Sequence, residues 1–485
     1  MLDSVVRNLL PFENENRLLV FTEHEICEET GLRSLLALNG YFIFDYVNVE
    51  QFRIEYEETI KASMDKVAVI VQLEIYVPYD IRQSFRTVNV FIDTLFPNLN
   101  PYIIKKHRND WDIIAFAAEQ IYSDYSQTRL TEIFLDEKVF SYEMIQQYCN
   151  CASGRIEAAC KRAISYRDWI HIAKYKASIQ YYAAMKNIEI DLSFVDEAFF
   201  GFIAYGYGQL SHEINNDYPP IVTKALTTIM SDKNNKSALI VMDGMSLFDF
   251  NALSRHFGDI DYEYGATYAL IPTTTPISRQ SLLSGKYPRE LDKPFSLVNE
   301  EKEFKARAAS FGLTPTQIEY LRGYDAEISP LTKIVSIIIN DIDDIVHGQF
   351  QGRAGMFNDM DLLGKSGKLQ SLISRLSANG FTVYVTADHG NTLCTGVGGY
   401  RSGVEMETRS MRMAVLKDFA QANALLNENT TEYQGFYLDK EYRYFVCKNG
   451  VSFDSKGETV MTHGGISIDE VIVPFIKIRS VMENG

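Results

Sequence analysis

Six acidic and imidazole side chains lie at, or close behind, the ends of apolar, strand-like segments in the second half of the sequence. The segments read ALIVMDG, IVSIIINDIDDIVH, FTVYVTADHG and VMTHGG. Three Asp and three His suit two divalent metals, if each metal takes two or three protein ligands and keeps an open position. The chain has only 8 His, so their concentration here indicates a two-metal enzyme. The six residues are Asp243, Asp343, His347, Asp388, His389 and His463.

Two of these segments end in acidic turns. SALIVMDG puts Asp243 at the carboxyl end of a buried strand, with Gly244 opening the turn. Ligands of open α/β sheets gather outside that end of the strands, although an Asp-Gly pair alone is also an ordinary turn. In TVYVTADHG, the adjacent Asp388 and His389 end a β-branched strand. Because the backbone leaves extended geometry there, both side chains could reach one metal.

The remaining ligands have different local settings. In DIDDIVH, Asp343 and His347 are four residues apart. If a helix begins here, both project from one face and can share a metal; an ordinary surface pair at that spacing is the alternative. Asp344 is one step off that face, and we expect it to be solvated. His463 stands in a Gly-flanked turn, THGG, before the strand-like VIVPFIKI.

A run of hydroxyl side chains connects a strand to a helix. The stretch YGATYALIPTTTPISRQSLLSGKYP predicts a strand that reaches Pro272, a turn containing Thr273, Thr274 and Thr275, and a helix from near Ser278. We expect a hydroxyl in this turn to be exposed and to face the helix N-terminus, whose N–H groups and dipole favour a phosphate. A simple N-cap is the alternative, because Thr and Ser cap helices in any protein.

The elements around these motifs predict an α/β protein in three parts. Residues 1–110 alternate strand-like and helical segments, which indicates an N-terminal α/β domain with a mostly parallel sheet. Residues 111–232 show helical spacing and predict a helical connector that ends at the polar stretch SDKNNKSA. Residues 233–485 alternate again and form the predicted catalytic domain, with insertions near 289–332 and 395–460 that could rim a site.

Composition narrows the class of protein. The net charge of −17 and pI near 5 argue against a broad nucleic-acid-binding surface, but not against a small nucleotide substrate. The 6 Cys include no C-x-x-C pair, and we expect Cys149, Cys151 and Cys160 to be buried or inert thiols in a reducing cytosol. The N-terminus has no signal-peptide pattern. No apolar run approaches the roughly 18 residues of a membrane span, so we predict a cytoplasmic protein without a membrane partner.

The order of motifs resembles the alkaline phosphatase superfamily: Asp, then Thr-x-x-Ser-Arg, then Asp-x-x-x-His, then Asp-His-Gly, then His. Within it, PTTTPISRQSLLSGKYP, TADHG and THGGISIDEVIVPFIKI resemble the PglZ family, known from BREX phage-defence systems. The resemblance covers about residues 238–480. It implies an alkaline-phosphatase-like catalytic domain, with a mostly parallel sheet between helices, preceded by α/β and helical regions.

The resemblance also implies a cofactor, two Zn²⁺, with other divalent metals left open. One zinc would be held by Asp343, His347 and His463, and the other by Asp243, Asp388 and His389. Zinc coordination lowers the pKa of a hydroxyl, and a metal pair can stabilise both attacking and leaving oxygens of an in-line displacement.

The resemblance also implies roles for the hydroxyl and guanidinium side chains of the Thr-x-x-Ser-Arg motif. Thr275 would be the nucleophile that forms a phosphothreonine intermediate, with Thr273 as the alternative. Ser278 would stand near the transferring group. Arg279 would either contact phosphate or anchor the helix.

The activity implied by the resemblance is a zinc-dependent phosphodiesterase that hydrolyses nucleotides or oligonucleotides in phage defence or nucleotide signalling. A phosphomonoesterase with the same site and a defence-complex scaffold with a vestigial site are the alternatives. A sulfatase is disfavoured, because its nucleophile is made from Cys or Ser rather than Thr. Contacts with other defence-system proteins and a homodimer stay open.

Overall fold

The chain forms two compact units, Met1–Tyr148 and Cys149–Gly485. The predicted division near residues 110 and 232 stays a prediction. None of the helices described has both the length and the apolar character that crossing a bilayer needs. The structure, a computed structural model, describes residues 1–72, 75–120, 123–215, 217–231, 236–399, 410–417 and 425–481.

The first unit contains a four-stranded parallel sheet. The strands occur in the order β2-β3-β1-β4, and all pairs are parallel, which confirms the predicted α/β architecture of this region. β3 is buried along nearly its whole length, as expected for a parallel strand covered on both faces. The strands are β1 Arg17–Thr22, β2 Phe42–Tyr46, β3 Val67–Gln72 and β4 Arg86–Val90.

Short helices connect these strands and extend beyond them. A helix, Ile92–Leu95, begins two residues after the end of β4 at Val90. The helices are α1 Leu2–Leu9, α2 His24–Glu29, α3 Leu32–Leu38, α4 Val49–Glu55, α5 Tyr79–Arg82, α6 Ile92–Leu95, α7 Pro101–Lys106, α8 Trp111–Ala118 and α9 Thr128–Phe134, with π-helical turns at Tyr56–Ile60 and Leu135–Val139.

The second unit is built on a six-stranded sheet with two smaller three-stranded sheets. The large sheet has the order β6-β16-β9-β5-β8-β7, and the small ones are β14-β10-β15 and β11-β13-β12. The strands are β5 Lys236–Met242, β6 Ile260–Tyr268, β7 Ile318–Arg322, β8 Ile334–Ile339, β9 Phe381–Thr386, β10 Thr392–Gly396, β11 Met413–Leu416, β12 Thr430–Tyr433, β13 Arg443–Cys447, β14 Val451–Ser452, β15 Thr459–Thr462 and β16 Ile472–Val481.

The large sheet is mostly parallel, as predicted. β7, β8, β5 and β9 run parallel, and only β16 runs against its neighbours β9 and β6. The three central strands therefore end at one edge. Met242 pairs with Ile339 of β8, and Val241 pairs with Thr386 of β9. Continued by two residues, that register brings Asp243 beside Asp388.

Helices of the second unit include those that carry the motif residues. The predicted insertion 289–332 supplies both a helix and the edge strand β7 of the large sheet. Within the second predicted insertion, 400–409 and 418–424 lie outside the described residues. The helices are α10 Tyr142–Cys160, which begins before the unit boundary, α11 Tyr166–Met185, α12 Ser193–Tyr205, α13 Ala225–Ile229, α14 Leu247–Ser254, α15 Thr275–Ser284, α16 Glu300–Ala309, α17 Asp341–Gly348, α18 Gly352–Lys365, α19 Lys368–Ala378 and α20 Ile468–Val471.

Candidate metal and nucleophile site

Three of the predicted ligands form what we call the helix cluster: Asp343, His347 and His463. One ligand atom of each lies within 4.8 Å of the others. The carboxylate oxygen Oδ1 of Asp343 is 3.2 Å from His347 Nε2 and 3.5 Å from His463 Nε2. The two Nε2 atoms are 3.3 Å apart. Asp343 and His347 both lie on α17, so the helix predicted from their spacing is present.

His463 reaches this cluster from the turn that follows β15. Its Nδ1 is 3.0 Å from the carbonyl oxygen of Thr273. A carbonyl can only accept, so Nδ1 carries the proton and Nε2 faces the cluster. The next residue, Gly464, has φ of 109°, and a Cβ there would come within 1.6 Å of Ser410 Oγ. The turn therefore requires glycine, and that requirement fixes the approach of the imidazole.

The other three predicted ligands form the strand-end cluster: Asp243, Asp388 and His389. Their ligand atoms also lie within 4.8 Å of one another, and all three side chains are buried. His389 Nε2 is 3.6 Å from Asp243 Oδ1 and 3.8 Å from Asp388 Oδ2. The ring of His389 stacks on that of His463, with centroids 4.2 Å apart, so the two clusters adjoin. The metal-ligand role of the six residues stays a prediction.

Burial in the strand-end cluster disfavours the charged form of all three side chains. Burial and the neighbouring charge of Asp243 raise the pKa of Asp388 well above its ordinary value. Burial also raises the pKa of Asp243, although the Arg279 guanidinium opposes the shift. Burial and the nearby imidazole of His463 hold the pKa of His389 well below its ordinary value. A cation would relieve the repulsion between the two carboxylates.

In the helix cluster, the effect of neighbouring charges on the pKa values outweighs the effect of burial. Burial alone would raise the pKa of Asp343, but the two imidazoles beside it outweigh burial, and the pKa is lowered. Burial alone would lower the pKa of His463, but the Asp343 carboxylate outweighs it, and the pKa is raised. The Asp343 carboxylate and the His463 imidazole thus each favour the charged form of the other.

Unpartnered oxygens test whether the residues fit a metal. Within the part of the chain that the structure describes, Asp343 Oδ1 and Asp388 Oδ2 are buried and accept no well-directed hydrogen bond. Asp343 Oδ1 lies 3.2 and 3.5 Å from two imidazole nitrogens, and Asp388 Oδ2 lies 3.8 Å from one. A buried carboxylate oxygen without a partner is costly, and carboxylate with imidazole is a donor set that zinc binds. The side chains of both clusters thus fit divalent cations.

Zinc affinity is expected to fall when the pH is lowered. Since the pKa of His463 is raised above 6.5, the imidazole holds a proton at about pH 6, which an incoming zinc must displace. The expected loss is about tenfold per pH unit for each displaced proton. Zinc titrations at about pH 8 and about pH 6 measure it. Equal affinities at the two pH values would contradict a site built on His463.

Thr275 begins α15 and lies beside the strand-end cluster. Its Oγ1 is 3.1 Å from His389 Nε2 and 3.5 Å from Asp243 Oδ1. Two expectations are corrected. The helix begins at Thr275 rather than near Ser278, and the Thr275 side chain is only 8% exposed. The preceding Thr274 occupies the N-cap position but makes no capping hydrogen bond, so capping does not account for this run of hydroxyls.

The neighbouring hydroxyls are engaged in the surrounding fold. Thr273 Oγ1 donates to the carbonyl of Gly465 at 3.0 Å and accepts from the N–H of Gly464 at 3.1 Å. Ser278 Oγ accepts from the N–H of Leu270 at 3.0 Å and donates to the carbonyl of Asp388 at 2.5 Å. Both side chains therefore bind the loops that carry the predicted ligands. The Thr275 hydroxyl instead faces Asp243 and His389.

Arg279 lies one helical turn beyond Thr275 and is 1% exposed. Its Nη1 donates to Asp243 Oδ2 at 2.5 Å, and its Nε donates to Glu300 Oε2 at 2.7 Å. The hydroxyl of Tyr320 and the guanidinium of Arg322 also donate to Glu300. The guanidinium thus orients one oxygen of Asp243 and leaves the other, Oδ1, facing Thr275. Sequence reasoning missed Glu300, because no local pattern links it to a residue 21 positions away.

Comparisons with known proteins agree with this geometry at the level of the family. Residues 222–478 match the family model of the BREX system PglZ alkaline phosphatase-like domain. No curated protein matches the chain.

The solved structures that match the chain have low sequence identity and TM-scores below 0.5. Inactive murine ectonucleotide pyrophosphatase/phosphodiesterase 5 in complex with AMP is 14% identical, with a TM-score of 0.33, over 50% of this chain and 87% of that one. Human ectonucleotide pyrophosphatase/phosphodiesterase 5 is 14% identical over the same shares, with a TM-score of 0.35. Phosphonoacetate hydrolase from Sinorhizobium meliloti 1021, in complex with phosphonoformate, is 12% identical over 50% and 89%, with a TM-score of 0.32.

Proposed function

Because the chain belongs to the PglZ family of alkaline phosphatase-like domains, we propose that it is a zinc-dependent phosphodiesterase acting on nucleotide or oligonucleotide esters. The family itself supports the coarser statement that the protein is a phosphoric ester hydrolase. The observation that carries the finer proposal is the position of Thr275 Oγ1, which lies 3.1 Å from His389 Nε2 of the strand-end cluster. The ring of His389 in turn stacks on His463 of the helix cluster.

Thr275 is the proposed nucleophile. Its Oγ1 attacks phosphorus, so that an Oγ1–P bond forms while the P–O bond to the leaving alcohol breaks; the hydroxyl proton passes through solvent to the leaving oxygen. Water then cleaves the phosphothreonine, which releases a phosphomonoester and restores the hydroxyl. A bound divalent cation supplies the lowered hydroxyl pKa and the neutralisation of phosphoryl charge that this chemistry needs.

The remaining motif residues hold the site rather than react. The N-terminus of α15 favours an anion beside Thr275. Arg279 keeps Asp243 turned toward that hydroxyl, and Ser278 holds the Asp388 carbonyl. These contacts favour the anchoring role of Arg279 over direct phosphate contact, and they favour Thr275 over Thr273, whose hydroxyl is taken by Gly464 and Gly465.

Charge favours a diester over a monoester. A terminal phosphate carries an additional negative charge, which a free cation near the clusters would favour. Among the described residues, the two buried arginines next to the site both face carboxylates, Arg279 toward Asp243 and Arg412 toward Glu470. A diester carries one negative charge and does not need an additional cation near the clusters.

The family description motivates the proposed cellular setting. A BREX-type domain is expected to act in phage defence, in the cytoplasm, with other defence-system proteins as partners; a homodimer is the open alternative for its assembly. A scaffold with a vestigial site is the competing function. Six intact ligand side chains argue against it, because a site without a function would be expected to lose at least one.

Zinc content and hydrolysis of two model esters test the proposal. We expect about two zinc per chain and faster hydrolysis of bis-p-nitrophenyl phosphate than of p-nitrophenyl phosphate. Faster monoester hydrolysis would support a phosphomonoesterase instead. Protein without metal, and without activity after zinc addition, would support the scaffold.

A further inference from the structure

The carboxylate of Glu470, on α20, lies buried behind the site with no exposed surface. Its Oε1 accepts from the N–H of Gly465 at 2.8 Å. The hydroxyl of Thr273 lies 3.4 Å from the same oxygen and shares its one proton with the nearer carbonyl of Gly465. Its Oε2 accepts from the N–H and hydroxyl of Ser467, at 3.0 and 2.6 Å, and from Arg412 Nη1 at 2.8 Å. One side chain thus satisfies four donors and contacts the Thr273 hydroxyl.

These donors come from the segments that carry the site. Gly465 and Ser467 belong to the turn that presents His463, and Thr273 precedes the nucleophile by two residues. The main chain of Glu470 adds a third connection, because its carbonyl accepts from the N–H of Gly390, next to His389, at 2.9 Å. Glu470 therefore contacts the loops of both clusters and of the hydroxyl, without reaching the ligand atoms.

The interaction of Arg412 with this carboxylate is equally buried. Arg412 has no exposed surface, and its Nη2 donates to the carbonyl of Lys448 at 3.1 Å. The ion pair ties the His463 turn to the end of β13. A neutral amide in place of the carboxylate could not serve the same donors, because its NH₂ group would face either Gly465 or the Ser467 and Arg412 side.

We propose that Glu470 is a positioning residue that fixes the His463 turn and thereby sets the metal affinity of the helix cluster. This inference rests on the proposed function, since it assumes that the cluster holds zinc. His463 can place Nε2 correctly only if its turn and the Thr273 carbonyl that receives Nδ1–H keep their separation. Glu470 accepts a hydrogen bond from Gly465 in the His463 turn and also contacts the side chain of Thr273.

Zinc titration against a chromophoric chelator tests the proposal without relying on activity. Glu470→Gln is expected to weaken binding of one of the two zinc ions by about 10- to 100-fold, the usual loss for a partner behind a metal ligand. Thr273→Val, which keeps shape but removes the hydroxyl that contacts Glu470, Gly464 and Gly465, is expected to give a smaller loss in the same direction. It also provides a readout if Glu470→Gln fails to fold.

Glu319→Gln is the matched control. Glu319 also holds a loop, accepting from the Ser329 N–H at 3.1 Å and the Thr332 hydroxyl at 2.7 Å, and it contacts none of the six predicted ligands. The zinc affinity of the Glu319→Gln variant should equal that of the unmodified protein. Unmodified zinc affinity in both Glu470→Gln and Thr273→Val would overturn the positioning role. A zinc-loaded protein without any esterase activity would instead contradict the proposed function, while the affinity comparison would still decide the role of Glu470.

Discussion

Replacing Thr275 by Val is expected to lower kcat/KM for bis-p-nitrophenyl phosphate by about 10⁴-fold or more, with zinc content unchanged. Val keeps the shape of this buried side chain but has no oxygen to attack phosphorus. Because Thr275 Oγ1 is 3.1 Å from His389 Nε2, no other hydroxyl of the Thr-x-x-Ser-Arg motif is expected to take over. Thr275→Ser, which restores a hydroxyl, should recover part of the activity.

The same substitution one residue earlier is the control. Thr274 is fully buried, and its Oγ1 has no hydrogen-bond partner among the described residues. Thr274→Val should therefore keep nearly full activity, and both variants should melt near the temperature of the unmodified protein. Full activity in Thr275→Val, or equal losses in the two variants, would rule out Thr275 as the nucleophile.

Asp388→Asn is expected to have opposite effects on catalysis and on stability. The variant should lose the zinc of the strand-end cluster, and with it about 10³-fold or more in activity. In excess chelator, the same variant should be more stable by about 1 kcal/mol or more. Circular dichroism melts in chelator and zinc analysis after reloading measure the two effects.

The sign of the stability effect follows from the raised pKa of the Asp388 carboxyl group. Burial and Asp243 raise the pKa of Asp388 far above its unfolded value of 3.8, so the folded state disfavours the ionised form. Stability of the metal-free protein is therefore lost as pH rises above 3.8 toward the folded pKa, and an uncharged Asn removes that loss. Asn also keeps an oxygen for the N–H groups of Gly244 and His389. A metal-free variant that is less stable than the unmodified protein would contradict this electrostatic account.

Features that depend on neighbouring residues could be predicted from the sequence. The spacing of Asp343 and His347 predicted a shared helical face, and α17 provides it. The apolar run before Asp388 and His389 predicted a buried strand, and β9 ends two residues before Asp388. The same local reasoning failed at Thr275. It placed the start of the helix too late, because the Thr and Pro residues there are also typical of a turn. It also overestimated the exposure of the hydroxyl, because burial depends on the loops that cover it.

The sequence alone determined the types of ligand, their order along the chain and the alternating α/β pattern, because side-chain chemistry and periodicity are local properties. The tertiary structure decided which ligands meet, since strand order brings the ends of β9, β5 and β8 to one edge. It also decided that Thr273 and Ser278 are engaged elsewhere, and that Glu300 and Glu470 support the site. Such contacts join residues far apart in the chain, as in the pairing of Arg279 with Glu300. A local pattern does not encode them, because their geometry is set by the packing of whole strands and helices.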